Sequence, residues 1–288
     1  MIRLIATDLD GTLLNRQHEI SWENLKALRY ARSRGVTLVI ASGRAFFDIH
    51  SLLKDADLNC HVIGTNGATI HTIDGQLLGA DYLDRAEALR ITDELTRGHY
   101  YIGVTTENKI FVPSEGLNWL EEELTRLGIH EDRSIGFQGA AGRKKVFYRL
   151  YDDWREIEAS GEDIRKIIVC SYDDKKLANA RQTYEKVHRF SIVSSGVGNF
   201  EIMAPNVSKG NALDHLAHYL GIPLEEVMAI GDNYNDLSMF AVAGMPVAMG
   251  NADEAVKRQC KRVTLDCKHN GVARAIYDVL AEPKSLDR

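Results

Sequence analysis

The chain is predicted to be an α/β protein: a parallel sheet with crossover helices, assembled from both ends of the sequence around a second, inserted α/β domain. Three observations carry this. Short apolar runs alternate with helical periodicity over the first 80 or so residues, the signature of strand–helix–strand crossovers. After about Tyr82 the pattern changes to closely paired strand candidates. From Ser208 the strand–helix alternation resumes.

In chain order, residues 2–7 form an apolar run that reads as a buried strand. Ser21 is placed to cap a helix carrying Leu25, Leu28 and Ala31 on one face, and Gly35 ends it. A strand over 36–41, a helix over 45–54 and a strand over 61–65 follow, the last ending at Asn66-Gly67. Residues 69–82, with Asp74-Gly75 at the middle, read as a hairpin. The inserted part begins with a helix over 85–97, paired strands over 100–104 and 109–112, and a helix over 114–127 that should bury Leu117, Leu120 and Leu124. Residues 128–143 give no clear pattern. Strands over 146–150, 166–170, 190–194 and 200–203 complete this part, separated by helices near 153–158 and 175–187. Ser208 then caps a helix through Leu213, Leu216 and Leu220, which Gly221 and Pro223 terminate. An apolar strand over 227–230, a helix from about Asp236, short strands over 246–249 and 262–265, and a closing helix over 271–280 finish the chain.

At 288 residues the sequence exceeds the usual size for one core, so one large or two moderate domains are expected. A net charge of −6 offers no electrostatic footprint for nucleic acid or an anionic membrane. No apolar run approaches the ~18 residues of a membrane span, and the amino terminus lacks a secretory pattern. The four cysteines, Cys60, Cys170, Cys260 and Cys267, lack paired spacing, which argues against a disulfide framework or zinc site and fits a cytoplasmic location.

Asp8-Leu9-Asp10-Gly11-Thr12 leaves the first strand, where open α/β sheets bind ligands. Two carboxylates two residues apart can converge on one divalent cation and still divide the chemistry. One attacks phosphorus; the other protonates the departing oxygen and later deprotonates water. A cation is needed because a carboxylate and a phosphate dianion repel each other. Taken alone, the pair could also be a turn with two solvated aspartates. Ser42-Gly43-Arg44 follows the second strand, where a hydroxyl and an exposed N–H suit phosphate oxygens, although an ordinary helix-entry loop reads the same way. Lys209 opens the Ser208 helix and could supply a fixed positive charge, or be an ordinary solvated lysine. Gly231-Asp232-Asn233-Tyr234-Asn235-Asp236 adds two carboxylates at a strand end, a donor set that suits magnesium. Arg143-Lys144-Lys145 reads as a solvated basic turn, Gly196–Gly198 as a hairpin turn, and Asn66-Gly67 as a tight turn. The ten histidines show no metal-ligand spacing.

Together and in this order, these segments resemble the four motifs of the haloacid dehalogenase (HAD) superfamily, in its Cof-like phosphatase group with a type 2 (C2B) α/β cap. The later turns AVAGMPVAMGNA and GVARAI are similar to that group too. The resemblance implies a Rossmann-like core from residues 1–83 and 205–288, with residues 84–204 as the inserted cap. It implies Asp8 as nucleophile and Mg2+ ligand, and Asp10 as general acid/base that also offers the metal its backbone carbonyl. Asp232 would be the third protein ligand and Asp236 its support. Ser42, Lys209 and Asn235 would hold the phosphoryl group, with the backbone N–H groups of Leu9 and Gly43. The implied activity is Mg2+-dependent hydrolysis of a small phosphorylated metabolite, a sugar phosphate by default. A phosphomutase shares the fold and covalent intermediate. A non-catalytic regulator on the same scaffold would be expected to lack Asp8 or Asp10, and both are present.

Overall fold

The computed structural model describes residues 1–129 and 147–280. The chain divides into two compact units, Met1–Gly79 with Ser208–Arg288, and Ala80–Val207. Among the described residues the first unit holds strands β1 (Leu4–Thr7), β2 (Thr37–Ala41), β3 (His61–Gly64), β4 (Thr69–His71) and β5 (Leu77–Ala80). The second holds β6 (Tyr101–Thr105), β7 (Ile110–Pro113), β8 (Tyr148–Tyr151), β9 (Lys166–Cys170), β10 (Ser191–Val193) and β11 (Asn199–Met203). The chain then returns to the first unit with β12 (Val227–Gly231), β13 (Met245–Ala248) and β14 (Arg262–Val263).

The first sheet runs β14-β13-β12-β1-β2-β3-β4-β5. Strand β1 is its pivot, pairing in parallel with β2 on one side and β12 on the other, Leu4 opposite both Thr37 and Val227. Successive strands therefore wind away from β1 in opposite directions, which opens a crevice at the carboxyl ends of β1 and β12. Both faces of this sheet are covered, so the strands are apolar throughout rather than alternating. One face packs Ile5, Leu38, Ile40, Met228 and Val272, and the other Leu4, Val39, Leu213, Leu216 and Phe240. Ser21 caps the helix Trp22–Ser33 by accepting from the Asn24 N–H, and Ser208 caps Lys209–Tyr219 by accepting from the Asn211 N–H. The expected hairpin is present as neighbouring strands β4 and β5.

The second unit has the order β10-β11-β9-β6-β7-β8, antiparallel except for the parallel pair β7–β8. Helices Arg85–Arg97 and Asp174–Glu185 send Leu89, Ile91, Leu95 and Tyr184 into a core with Ile102, Val104, Ile167 and Phe200. Gly198, at φ +75°, sits in the β10–β11 turn expected there.

One expectation in this unit needs correction. The helix Gly116–Leu127 buries Gly116, Leu120 and Glu123, whereas Leu117 is 58% exposed. Its inward face is rotated because Glu123 is buried as an ion, accepting from Ser171 Oγ, the Tyr172 N–H and Lys176 Nζ at 2.6–2.8 Å. Apolar periodicity cannot register a paired charge on the inner face. Arg143-Lys144-Lys145 and Val146 lie outside the described residues, and the strand expected over 146–150 begins at Tyr148. No helix among the described residues is long and apolar enough to cross a membrane.

Candidate active site

Every residue singled out for chemistry belongs to the first unit. Strand β1 hands the chain to Asp8, whose N–H donates to the Ile230 carbonyl of β12 at 2.9 Å. A single turn, Leu9–Leu13, follows, with Leu9 buried in the core and Gly11 at φ +80°. That left-handed value favours glycine, and a Cβ at residue 11 would also collide with the Asp232 carboxylate. Thr12 Oγ1 donates to Asp232 Oδ1 at 2.8 Å, tying the first motif to the last.

At the centre is a buried ion cluster. Lys209 Nζ, on a fully buried side chain, donates to Asp8 Oδ1 at 2.7 Å and to Asp236 Oδ1 at 2.6 Å. Asp236 Oδ2 accepts from the backbone N–H groups of Asp232 and Asn233 at 2.9 and 3.0 Å. Carboxylate oxygens of Asp8, Asp232 and Asp236 all lie within 4.8 Å of one another. Geometry alone would allow all three to share a cation, but both Asp236 oxygens already accept strong hydrogen bonds. Asp8 and Asp232 are the better donors, with Asp236 orienting Lys209 and the loop around Asp232.

The electrostatics fit a cation there. Burial, reinforced by Asp236 and Asp232, holds the Asp8 carboxyl well above the usual range despite Lys209. Burial and the charge of Asp236 push Asp232 up to about 7. Burial opposes the Lys209 charge, yet Asp236 and Asp8 outweigh it and raise its pKa. Three carboxylates facing one ammonium leave an anionic surplus that a hard divalent ion with oxygen ligands would neutralise.

A second cluster lines the adjacent loops. Ser42 is buried at the end of β2, and its carbonyl accepts from the Asn66 N–H at 2.9 Å. A Cβ at Gly43 would lie 3.1 Å from Asn66 Oδ1, which also accepts from Asn235 Nδ2 at 3.1 Å. Thr65 and Asn66 both adopt left-handed φ values, +52° and +55°, a costly local conformation for a threonine. Gly67 presses so closely on the Ser208 carbonyl that no side chain fits. Asn66-Gly67, which turn chemistry explains from sequence and which the resemblance allows beside the active site, thus joins Ser42, Asn235 and the start of the Lys209 helix.

Asp10 stands apart from the acidic cluster. Its carboxylate is 46% exposed and paired with Arg44. Two partners escaped sequence reasoning. In the sequence Arg44 shows only as the third residue of its tripeptide. Asn251 Nδ2 donates to the Gly11 carbonyl at 2.9 Å and lies 3.3 Å from Asp232 Oδ2, while its Oδ1 accepts from the Cys267 N–H. Asn251 lies in the GNA turn, whose similarity to the family gives it no role by itself.

Residues 5–276 match the family model of haloacid dehalogenase-like hydrolases. The chain belongs to the haloacid dehalogenase superfamily. Within that superfamily it falls in the Cof-like group. It is similar to the phosphatase YwpJ of Bacillus subtilis, 38% identical over 285 residues that cover 97% of this chain and all of that protein. It is also 36% identical to the 5-amino-6-(5-phospho-D-ribitylamino)uracil phosphatase YwtE of the same organism, covering 97% and 99% of the two chains. The solved structure of a haloacid dehalogenase-like hydrolase from B. subtilis matches with a TM-score of 0.86 at 37% identity, over 97% of this chain and 100% of that one. The parallel first sheet and separate second sheet are thus those of a HAD fold.

Proposed function

We propose that this HAD protein is a Mg2+-dependent phosphatase that hydrolyses a small phosphorylated metabolite, a sugar phosphate by preference, through an aspartyl-phosphate on Asp8. The observation that carries this reading is the buried Asp8–Lys209–Asp236 cluster beside Asp232. Its relatives support the substrate class, since one acts on a phosphorylated ribityl compound. Residues 84–204, inserted between the halves of the catalytic unit, are assigned the role of a cap that selects among leaving groups.

In the first half-reaction an Asp8 oxygen attacks phosphorus, the bond to the ester oxygen breaks, and Asp10 gives that oxygen its proton. In the second, water attacks the same phosphorus as Asp10 takes its proton, and Asp8 departs as carboxylate with inorganic phosphate released. Lys209, Ser42, Asn235 and the N–H groups of Leu9 and Gly43 would hold the phosphoryl oxygens. Bound to Asp8, Asp232 and the Asp10 carbonyl, Mg2+ would neutralise the repulsion between nucleophile and phosphate.

Phosphate release from p-nitrophenyl phosphate and a panel of hexose and pentose phosphates tests the function. Activity should vanish on chelation and return with Mg2+. The dependence on pH has a definite sign. With Asp232 at about 7 in the metal-free protein, a proton competes with the cation below that pH. Asp8, the other side-chain ligand, is raised as well, so the Mg2+ concentration for half-activation should rise as pH falls below 7, by roughly tenfold per pH unit or more. Turnover that survives exhaustive chelation would overturn the reading.

Asp10→Asn separates the two aspartates. The amide keeps the backbone carbonyl and loses proton transfer, typically worth about 10²–10⁴-fold. A nitrophenolate leaves as a stable anion, whereas a sugar alkoxide needs protonation. Phosphoenzyme should form more readily from the aryl ester than from the sugar ester, then hydrolyse slowly. Rapid-quench trapping with both substrates measures this; equal impairment with normal dephosphorylation would remove the role from Asp10.

A further inference from the structure

The mechanism above leaves one well-held side chain unused. Arg44 lies just beyond β2, and its backbone is fixed from two sides. Its N–H donates to Ser42 Oγ at 3.3 Å, and its carbonyl accepts from the Thr65 N–H at 2.7 Å. The guanidinium is nearly buried, with 9% of the side chain exposed. Nε donates to Asp10 Oδ2 at 2.6 Å, and Nη2 donates to Asp10 Oδ1. Nη1 reaches Asp48 Oδ2 at 3.5 Å, in the first turn of the helix Phe46–Asp55. His18 Nδ1 is 3.8 Å from Asp10 Oδ1.

A fork of two parallel N–H···O bonds sets the plane of a carboxylate as well as its position, which a lysine ammonium cannot do. Asp10 needs such a hold. Its side chain is about half exposed, on a turn that continues into left-handed Gly11, and an exposed side chain samples several staggered rotamers unless a partner selects one. Proton transfer requires the carboxyl within hydrogen-bond reach of the leaving oxygen, and an ångström of misplacement costs about 10²-fold in rate.

We propose that Arg44 is a positioning residue for Asp10: its guanidinium, steadied by Asp48, holds the acid/base carboxylate in the orientation from which it exchanges a proton with the leaving oxygen. One of the two bonds suffices to hold the group while the other oxygen transfers the proton. The inference rests on the acid/base reading of Asp10.

A double-mutant cycle of Arg44→Met and Asp10→Asn tests it. The substrates are p-nitrophenyl phosphate and the hexose 6-phosphate that the wild type hydrolyses fastest. The parameter is kcat/KM, which reports the phosphorylation half alone when that step is irreversible. Arg44→Met should lower kcat/KM for the hexose ester by roughly 10–100-fold and for the aryl ester by less than about threefold. Added to Asp10→Asn, it should cost less than about threefold more, because the group it positions is gone. Arg44→Lys should fall between wild type and Arg44→Met; it keeps the charge opposite Asp10 and Asp48, so the cycle runs on it if Arg44→Met does not fold. Losses that multiply in the double variant, or equal losses on both esters, would overturn the proposal. If Asp10→Asn alone impairs both esters alike, the acid/base reading fails and this inference falls with it. If Asp10→Asn discriminates and Arg44→Met does not, only the role of Arg44 is lost.

Discussion

Asp8→Asn is expected to abolish phosphoenzyme formation and lower turnover on the order of 10⁴-fold or more, the scale seen when a nucleophile that acts with its partners is removed. The same substitution should not destabilise the metal-free protein at pH 8. Burial raises the Asp8 pKa well above its ordinary value, so ionising it is harder in the folded state than in the unfolded chain. A raised carboxylate pKa contributes stability that is present at low pH and lost as pH rises through the folded value. An amide has no such titration, and Lys209 keeps Asp236 as a partner. In chelator at pH 8 the variant should therefore melt at or above the wild-type temperature, while gaining less from added Mg2+. Acid-quenched phosphoenzyme and thermal melts with and without Mg2+ measure both halves. A phosphoenzyme that still forms in the variant would take the nucleophilic role away from Asp8.

Lys209→Met should have the largest effect on stability. Methionine roughly fills the space of the lysine stem but leaves Asp8 and Asp236, both buried, without their shared cation. Breaking a buried pair in this way costs about 3–5 kcal/mol, because a buried charge is left uncompensated. The deficit has a pH signature. Without the ammonium, Asp8 loses a charge that lowers its pKa, so it is expected to hold its proton to higher pH, and protonated it is far cheaper to bury. The variant should approach wild-type stability near pH 5 and fall furthest behind near pH 8. Urea unfolding in chelator at both pH values checks this. A deficit of equal size at both would mean that lost packing, not lost charge, is responsible.

These effects trace to residues of different legibility. Asp8 and Asp10 stand out locally because two carboxylates leave an apolar strand together, and Ser208 announces its helix by capping chemistry. The crossover pattern around them makes a parallel α/β sheet legible, but periodicity alone does not give its strand order. What was illegible is held by contacts between distant parts of the chain. Arg44 meets Asp10 and Asn251 meets the Gly11 carbonyl only after the sheet has formed, and no local spacing encodes either pair. Leu117 shows the complementary failure: an amphipathic pattern assigned it inward, while Glu123 occupied the buried face as an ion. Thr65 is a third kind. A β-branched residue at φ +52° runs against its local preference and is held there by its surroundings, its N–H bound to the Arg44 carbonyl.

The central place of β1 also has a consequence for biosynthesis. Leu4 is made well before its partner Val227, which emerges only after the whole of Ala80–Val207. At ~5–20 residues per second, that interval lasts roughly ten to forty seconds on the ribosome. Throughout it, β1 can pair with β2 while its other edge stays open, a template for mispairing with other nascent chains. The intervening unit is contiguous in sequence and has its own core, so its folding need not wait. Lys209 and Asp232 emerge on either side of β12, so neither can join Asp8 until most of the chain has been made.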